Sequence, residues 1–376
     1  ITLLVLDYKK IRGFMINNKG LLFTLVAAVA SISTISLFWN DFAGTLKVNV
    51  SMDRQLALES SSETAKSFDI LPEDLDQAVV YQFDSSLRNY VELKQGGRER
   101  FQNIIDNDIY SPYNWMVRSF KEGEIAELYV QFKPDGSPNG YVLKVPEEYK
   151  SKNLDEEDAL SLVSSKINEH WSGNFEDYEL IESSFMEMPN GRIDHTFVYE
   201  HKLKDIGDAK YRLSANVAGS TVSKINPYAF IPESFSREFA NIRSDNNTIA
   251  AFANYAFLGI YLLGIGLITV ILFYRNGWLR WKKSLAAAAF IAFASMLVDL
   301  NFAPSSMMYY DTATSKSQFF TEQMLAVIAN SVLNFLIIAS SFIVAESLTR
   351  RAFPEHIQLW KTWSSNVANS KRVLNL

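Results

Sequence analysis

The sequence contains no cysteine among its 376 residues and only 4 histidines. The absence of cysteine excludes disulfide bonds, thiolate metal sites and cysteine nucleophiles, and it fits a bacterial envelope protein that uses no disulfides. Basic charge is also scarce, since 36 Lys and Arg stand against 42 Asp and Glu, for a net charge of −6. A nucleic-acid-binding protein needs a basic face, so the composition argues against nucleic acid as a partner.

Long apolar runs, in contrast, are plentiful. Crossing the hydrocarbon core of a bilayer takes about 20 mostly apolar residues. Windows of this kind predict four transmembrane helices, at 21–39, 250–274, 284–303 and 324–345. The first window has a signal peptide as its alternative interpretation. An uncleaved anchor is preferred, because the run is longer than a typical signal region and no small-residue cleavage site follows it.

Lysine and arginine are concentrated in links on one side of these predicted spans. They precede the first span, fill 275–283 and follow the fourth span, whereas the link 304–323 has only Lys316. Cytoplasmic loops are enriched in basic residues. The pattern therefore predicts a multi-pass protein of the bacterial inner membrane, with both chain ends cytoplasmic and residues 40–249 in the periplasm. Residues 1–20 form the predicted cytoplasmic N-terminal segment.

The predicted periplasmic region contains an internal repeat. Residues 53–68 (DRQLALESSSETAKSF) and 155–171 (DEEDALSLVSSKINEHW) both begin with Asp and carry apolar residues at helical spacing. Alternating, strand-like segments with turn signals follow each of them. The predicted fold is thus a membrane protein with four transmembrane α-helices and a periplasmic α+β domain. That domain is expected to consist of two similar helix-on-sheet modules, 40–150 and 151–249, each with its own small antiparallel sheet.

Candidate chemistry in this domain is thin. His195 and His201 are six residues apart on one predicted strand, so they share a face but lie about 20 Å apart and cannot bind one metal ion. The aromatic stretch 108–120 (DIYSPYNWMVRSF) is interpreted as core packing, with a binding surface as the alternative. The sequence therefore predicts no catalytic residue, cofactor site or metal site in this chain.

Polar residues near the membrane are candidates for function, because placing them there is costly. Asp299, Asn301 and Asp311 are predicted to form a polar cluster at the outer interface, with an interfacial belt and helix capping as the simpler interpretation.

Two further pairs of residues, each spaced four apart on a predicted span, suggest how the spans pack. Asn330 and Asn334 suit hydrogen bonds between helices, and Ala288 and Ala292 suit close helix packing. These residues are predicted to pack helices together and to take no part in catalysis.

Residues 345–350 read AESLTR and resemble the Glu-Glu-x-x-x-Arg motif of CPBP-type intramembrane proteases, the CAAX-protease and bacteriocin-processing (Abi-like) group. In that family the paired glutamates activate water within the membrane. Glu346 and Arg350 match the motif, but Ala345 replaces the first glutamate. The family also needs later membrane histidines, and only His356 follows here. Glu346 is therefore interpreted as the point where the fourth helix leaves the membrane.

Longer stretches resemble the N-terminal region of long bacterial members of the same family. They are NKGLLFTLVA, YSPYNWMVRSFKEGE, GRIDHTFVYE, RSDNNTIAA, YYDTAT and AESLTRRAFPEHIQLWKTWS. The layout of the outer domain also resembles PepSY-type helix-and-sheet units. The resemblance implies a membrane and periplasmic module without catalytic residues, which binds a substrate or partner or gates access to the active site. Residues 346–376 would then form a cytoplasmic segment that leads to a protease domain, and only the full protein would be an enzyme.

The alternative function is a non-enzymatic accessory subunit that docks onto an inner-membrane complex through its periplasmic domain. An envelope sensor is less favoured, because no kinase, cyclase or receiver pattern follows the fourth span. The expected partners are the same in the first two cases, namely the lipid bilayer and a protein partner or protein substrate.

The predicted topology can be tested with a reporter protein fused within the link 302–322. We expect the reporter to lie outside the cytoplasm, because this link carries a single lysine. A cytoplasmic reporter at this position would contradict the arrangement of four spans.

Overall fold

The computed structural model describes residues 19–42, 48–203 and 206–354. Most of the predicted segment 1–20 and residues 355–376, including His356, lie outside this range. Residues 48–345 form one compact unit. Helix α1 (Lys19–Phe42) belongs to a separate unit and contains the predicted window 21–39. The apolar side chains described within α1 run from Leu25 to Leu37 and are exposed.

Two helices begin the two halves of the predicted repeat. They are α2 (Arg54–Ala65) and α5 (Glu156–His170). Each helix follows an aspartate whose Oδ1 accepts a hydrogen bond from the main-chain N–H three residues later. The N–H of Leu56 donates to Asp53 (2.8 Å), and the N–H of Asp158 donates to Asp155 (2.9 Å). Such N-caps satisfy a main-chain donor that lacks a partner within the helix. The predicted helix starts are therefore confirmed.

Four antiparallel strands follow each helix. After α2 come β1 (Asp76–Phe83), β2 (Tyr113–Phe120), β3 (Glu127–Phe132) and β4 (Pro138–Lys144). After α5 come β5 (Tyr178–Glu187), β6 (Ile193–His201), β7 (Lys210–Ala218) and β8 (Thr221–Phe230). The expectation of a separate small sheet in each half is wrong, because the strands form one sheet in the order β1-β2-β3-β4-β8-β7-β6-β5.

The two halves join where β4 pairs with β8. Tyr141 lies opposite Ile225, and both side chains are buried. Two separate sheets would have left both strands with a row of unpaired main-chain groups. Pairing them satisfies these groups and extends the apolar core across the boundary between the halves.

Both helices pack on the same face of this sheet, because one core cluster includes residues of α2, of α5 and of all eight strands. Strand β5 contributes only Tyr178 to this cluster. Ala57 in α2 and Ala159 in α5 occupy equivalent places in the two sequence repeats, and both are fully buried. The absence of a larger side chain lets each helix approach the strands closely.

A pair of short helices interrupts only the first half. They are α3 (Ser85–Lys94) and α4 (Gly97–Asp106), inserted between β1 and β2. Tyr90 in α3 packs edge-on against Phe235, and its hydroxyl accepts a hydrogen bond from the N–H of Asp208 (3.1 Å). Lys94 pairs with Glu238 (2.9 Å). The insertion thus contacts the start of the helix that leaves the sheet.

Three helical stretches within the described residues are long and apolar enough to cross a membrane. The first is α6 (Glu233–Phe257), continued by a π-helical segment (Leu258–Gly266) and α7 (Leu267–Arg275). The second is α8 (Lys282–Ser306), which a 3₁₀ turn (Met307–Tyr309) follows, and the third is α9 (Lys316–Ala352). They contain the predicted windows 250–274, 284–303 and 324–345, although α6 begins well before residue 250. The fourth span, at 21–39, stays a prediction.

The two N-caps provide a test of the repeat. Asp53→Ala and Asp155→Ala are each expected to lower the free energy of unfolding by about 1 kcal/mol, because each leaves a helix-start N–H without its partner. Asp→Asn at the same positions keeps an acceptor and should have little effect. Denaturant unfolding in mild detergent, followed by tryptophan fluorescence, measures both. Equal losses in the Ala and Asn variants would contradict the capping role.

Candidate functional site at the junction of the sheet and two spanning helices

The face of the sheet opposite α2 and α5 is covered at β1–β3 by the connection between α8 and α9. Ala78 and Phe120 from the strands form a buried apolar cluster with Met308 and Tyr310 from the connection. We call the contact between β1–β3 and residues 307–316 the junction. It lies within one compact unit of the chain, so it defines where these two spanning helices meet the sheet.

A buried ion pair lies at the centre of the junction. Arg118 on β2 contacts Glu127 on β3, with Nη2 and Nε at 2.7 and 2.8 Å from Oε2. Each side chain is only 4% exposed. Removing two charges from water costs several kcal/mol per ion, and their attraction offsets this cost only when the geometry is good and other polar groups are satisfied.

The remaining donors of Arg118 bind main-chain carbonyl groups at the end of α8. Nη1 donates to the carbonyl oxygens of Met307 (3.2 Å), Met308 (3.2 Å) and Tyr310 (2.6 Å). The last carbonyls of a helix lack partners within it, and they carry the negative end of the helix dipole. Arg118 therefore caps a spanning helix from a strand that is about 190 residues away in sequence.

Other groups from the strands surround the ion pair. The Tyr129 hydroxyl donates to Glu127 Oε2 (3.0 Å), and burial raises the pKa of Tyr129 to about 12, so the hydroxyl keeps its proton. Lys144 Nζ lies 3.4 Å from Glu127 Oε1. The Arg118 guanidinium lies over the Phe120 ring, 4.4 Å from its centroid, in a cation–π contact. The two charges are thus held in one arrangement.

Polar contacts also close the rim of the junction. Lys316, at the start of α9, pairs with Asp76 at the start of β1. The N–H of Gly123 donates to the carbonyl oxygen of Thr312 (2.8 Å). Tyr310 is 1% exposed, and its hydroxyl donates to the carbonyl oxygen of Thr314. Both ends of the connection are therefore bound to the sheet.

The three residues predicted to form a polar interfacial cluster lie near the junction in sequence but have different surroundings. Asp299 is half-buried and Asn301 is exposed on α8. Asp311 is exposed in the connection, where its Oδ1 accepts from the N–H of Ala313 (3.0 Å). Within the described residues no hydrogen bond joins the three side chains, and Asp311 acts as a turn cap.

The residues predicted to pack the helices lie on α8 and α9 and differ in their burial. Ala288 and Ala292 are buried on α8. On the same face of the helix, Ser284 Oγ donates to the carbonyl oxygen of Arg280 (3.1 Å) and lies 3.4 Å from the carbonyl oxygen of Phe342 on α9. Asn330 is exposed on α9 and Asn334 is half-buried. Their predicted hydrogen bonds to another helix stay a prediction.

Glu346, which matches part of the protease motif, and the histidines His195 and His201 each contact neighbouring groups of the fold. Arg350 Nε donates to Glu346 Oε1 (2.8 Å), one turn apart near the end of α9. His195 Nε2 lies 2.9 Å from the carbonyl oxygen of Leu154, and the His201 ring packs edge-on against Tyr178. In the part of the chain that the structure describes, no group of three His, Asp or Glu side chains could hold a metal ion.

A cavity of about 550 Å³ lies on the helix side of β1 and β2, next to the end of α2. Its lining includes Lys66 and the carboxylates Asp69, Glu73 and Asp74. Gln77 Nε2, also in the wall, donates to Ser119 Oγ (3.3 Å). The same two strands therefore carry this cavity on one side and the junction on the other.

Sequence reasoning missed Arg118, which lies within the aromatic stretch interpreted as packing. The available signal was a lone arginine between apolar residues of one strand, with a glutamate nine residues later at the start of the next strand.

Comparison of the chain with protein-family models, with curated proteins and with solved structures gave no match.

Replacement of Arg118 by Met is expected to lower the free energy of unfolding by about 3–5 kcal/mol, because Glu127 stays buried without its partner. The double variant Arg118→Met with Glu127→Leu should recover most of this loss, since no unpaired charge remains. Arg212→Met is the matched control, because the more exposed Arg212–Glu200 pair joins neighbouring strands of the same sheet at 2.9 Å. Equal losses from Arg118→Met and Arg212→Met in denaturant titrations would contradict the special role of Arg118.

Proposed function

We propose that this chain is a membrane-anchored binding module. In this proposal the sheet domain lies on the outer side of the membrane, binds a protein there, and holds the outer ends of α8 and α9 in one position. The observation that carries the proposal is the contact of Arg118 with Glu127 and with three carbonyl groups of the α8–α9 connection.

Two attachments join the sheet to the spanning helices. The chain passes from β8 into α6 at Glu233, and the junction binds β1–β3 to residues 307–316. A domain held by one linker is free to swivel about it, whereas two separate attachments define an orientation. A module that served only as a tether would need no junction.

The chemistry of the junction favours one position over many. A buried ion pair adds little stability compared with well-packed apolar residues, but it penalises every arrangement that leaves one charge unpaired. A small slide of the connection would remove carbonyl oxygens from Arg118 while Glu127 stayed buried. We infer that the junction selects one register between the sheet and the helices, so that displacement of the sheet domain is transmitted to α8 and α9.

The resemblance to the N-terminal region of CPBP-type proteases supports a specific setting for this module. There the sheet domain would lie in the periplasm of a bacterium and position a protein substrate for a protease domain, or gate access to it. Glu346, which matches one glutamate of that family's motif, pairs with Arg350. The described residues would then contribute binding and position, and the chemistry would come from the protease domain.

Distance measurements between two spin labels test the coupling. Because the chain has no cysteine, labels can be attached at Asn168→Cys on α5 and Ser317→Cys at the start of α9. One narrow distance distribution is expected in nanodiscs, and Arg118→Met should broaden it. Asp76→Asn, which weakens the rim, should broaden it less. Arg212→Met is the control and should leave it narrow. An unchanged distribution in a folded Arg118→Met variant would overturn the proposal.

A further inference from the structure

Strand β5 forms one edge of the sheet. In the part of the chain that the structure describes, β6 is its only strand partner, and nine of its ten residues are exposed. Ten residues of strand extend over about 33 Å. A bulge interrupts the pairing between Leu180 and Glu182, and the register is regular from Glu182 to Glu187. This stretch presents unpaired main-chain N–H and C=O groups to a further strand.

The edge also exposes large apolar side chains. Phe185 is 72% exposed and Met186 is 66% exposed, and these neighbours point to opposite faces of the sheet. Natural edge strands are usually protected by charged side chains (lysine above all), proline, a bulge or a covering element. In β5 the bulge is confined to Leu180–Glu182, and the charged side chains are glutamates. The segment 178–187 contains neither lysine nor proline. At the opposite edge, β1 contributes to the junction, so the two edges of the sheet differ in kind.

The charged side chains of β5 and of the turn that precedes it are all acidic. Residues 175–187 (FEDYELIESSFME) contain five acidic residues and no basic one. Glu179 lies opposite Glu200 in the register, and Glu200 already binds Arg212 (2.9 Å). Within the described residues Glu179, Glu182 and Glu187 form no salt bridge. The edge therefore carries negative charge that a cationic partner would neutralise.

A second copy of this chain fits the edge poorly. Antiparallel self-pairing centred on Ser183 would place Glu179 of each copy opposite Glu187 of the other. Like charges directly opposite each other destabilise a strand pair. A strand with lysine or arginine at these places gains attraction at both.

We propose that β5 is a docking edge for an extended, basic segment of a partner protein, which adds a ninth strand to the sheet. Main-chain hydrogen bonds supply affinity in such complexes, and the alternating side chains supply specificity. Lysine or arginine side chains of the partner lie opposite Glu182 and Glu187, and its apolar side chains cover Phe185 and Met186. This inference deepens the proposed function by naming the chemistry of the partner. Only the effect of binding on the spanning helices rests on the proposed function.

Binding of the labelled peptide Thr-Lys-Val-Val-Thr-Thr-Lys-Thr tests the docking edge. When it runs antiparallel to β5, its two lysines, five residues apart, lie opposite Glu187 and Glu182, and its two valines lie opposite Met186 and Phe185. The full chain is placed in nanodiscs of zwitterionic lipid, and fluorescence anisotropy is compared with that of empty nanodiscs. Saturable binding is expected, while the same peptide with both lysines replaced by glutamate should not bind. Binding no stronger than to empty nanodiscs would overturn the inference.

Charge reversal localises the site. The triple variant Glu179→Lys, Glu182→Lys and Glu187→Lys should weaken binding of the lysine peptide at least about tenfold and allow the glutamate peptide to bind. The matched control reverses three exposed acids outside β5 and changes the net charge equally; its substitutions are Glu124→Lys, Glu147→Lys and Glu148→Lys. It should retain binding within about twofold. Equal loss in both triple variants would mean attraction by net charge alone and would overturn the docking edge.

Hydrogen exchange separates a new strand from loose association. The lysine peptide should protect the main-chain amides of residues 178–187 from exchange in the wild-type chain. This measurement uses no variant, so it does not depend on whether a variant folds. Protection elsewhere, or protection of β5 that rises with protein concentration without peptide, would overturn the inference; the latter would indicate self-pairing. Failure of these measurements leaves the spin-label test of Arg118 intact, so the partner and the coupling can fail separately.

Discussion

The Arg118 side chain is only 4% exposed, and Glu127 with three main-chain carbonyls supplies the polar contacts that water makes with an exposed arginine. An arginine is suited to this role because its planar guanidinium presents five N–H donors in fixed directions and stays charged at any physiological pH. The carbonyls belong to the end of a spanning helix, whereas the carboxylate belongs to the sheet. One side chain therefore joins the sheet to the end of a helix that is long and apolar enough to cross a membrane.

The face of the sheet that carries Arg118 changes character along its width. Where the α8–α9 connection covers β1–β3, the buried apolar side chains of Phe120 and Ala78 accompany the buried Arg118–Glu127 pair. From β3 across to β6 the same face carries hydrogen-bonded amides: Gln131 Nε2 on β3 donates to Asn226 Oδ1 on β8 (3.0 Å), and Asn216 Nδ2 on β7 donates to Thr196 Oγ1 on β6 (3.1 Å). The buried charges are paired and the polar side chains are hydrogen-bonded to each other, as the cost of burying polar groups requires.

The two repeats have the same order of helix and strands but differ in what they contact. Each contributes a capped helix and four antiparallel strands, and they meet at β4 and β8. The first repeat also holds the inserted α3 and α4 and the junction with the spanning helices. The second leaves β5 open, with acidic and apolar side chains along it. Within the described residues, the first half of the sheet thus carries the contact with the α8–α9 connection, and the second half carries the exposed edge strand.

Local pattern determined much of this protein. The N-caps at Asp53 and Asp155, the period of the two core helices, and the apolar stretches within α6–α7, α8 and α9 all follow from interactions between residues close in sequence, so the sequence alone predicted them. The pairing of β4 with β8 and the contact of Arg118 with α8 were decided only by the tertiary structure. Both join residues that are distant in the chain, about 80 apart for Tyr141 and Ile225 and about 190 apart for Arg118 and Met308. Moreover, the acceptors of Arg118 on α8 are main-chain carbonyls, which every residue possesses, so no residue type in the sequence could mark them.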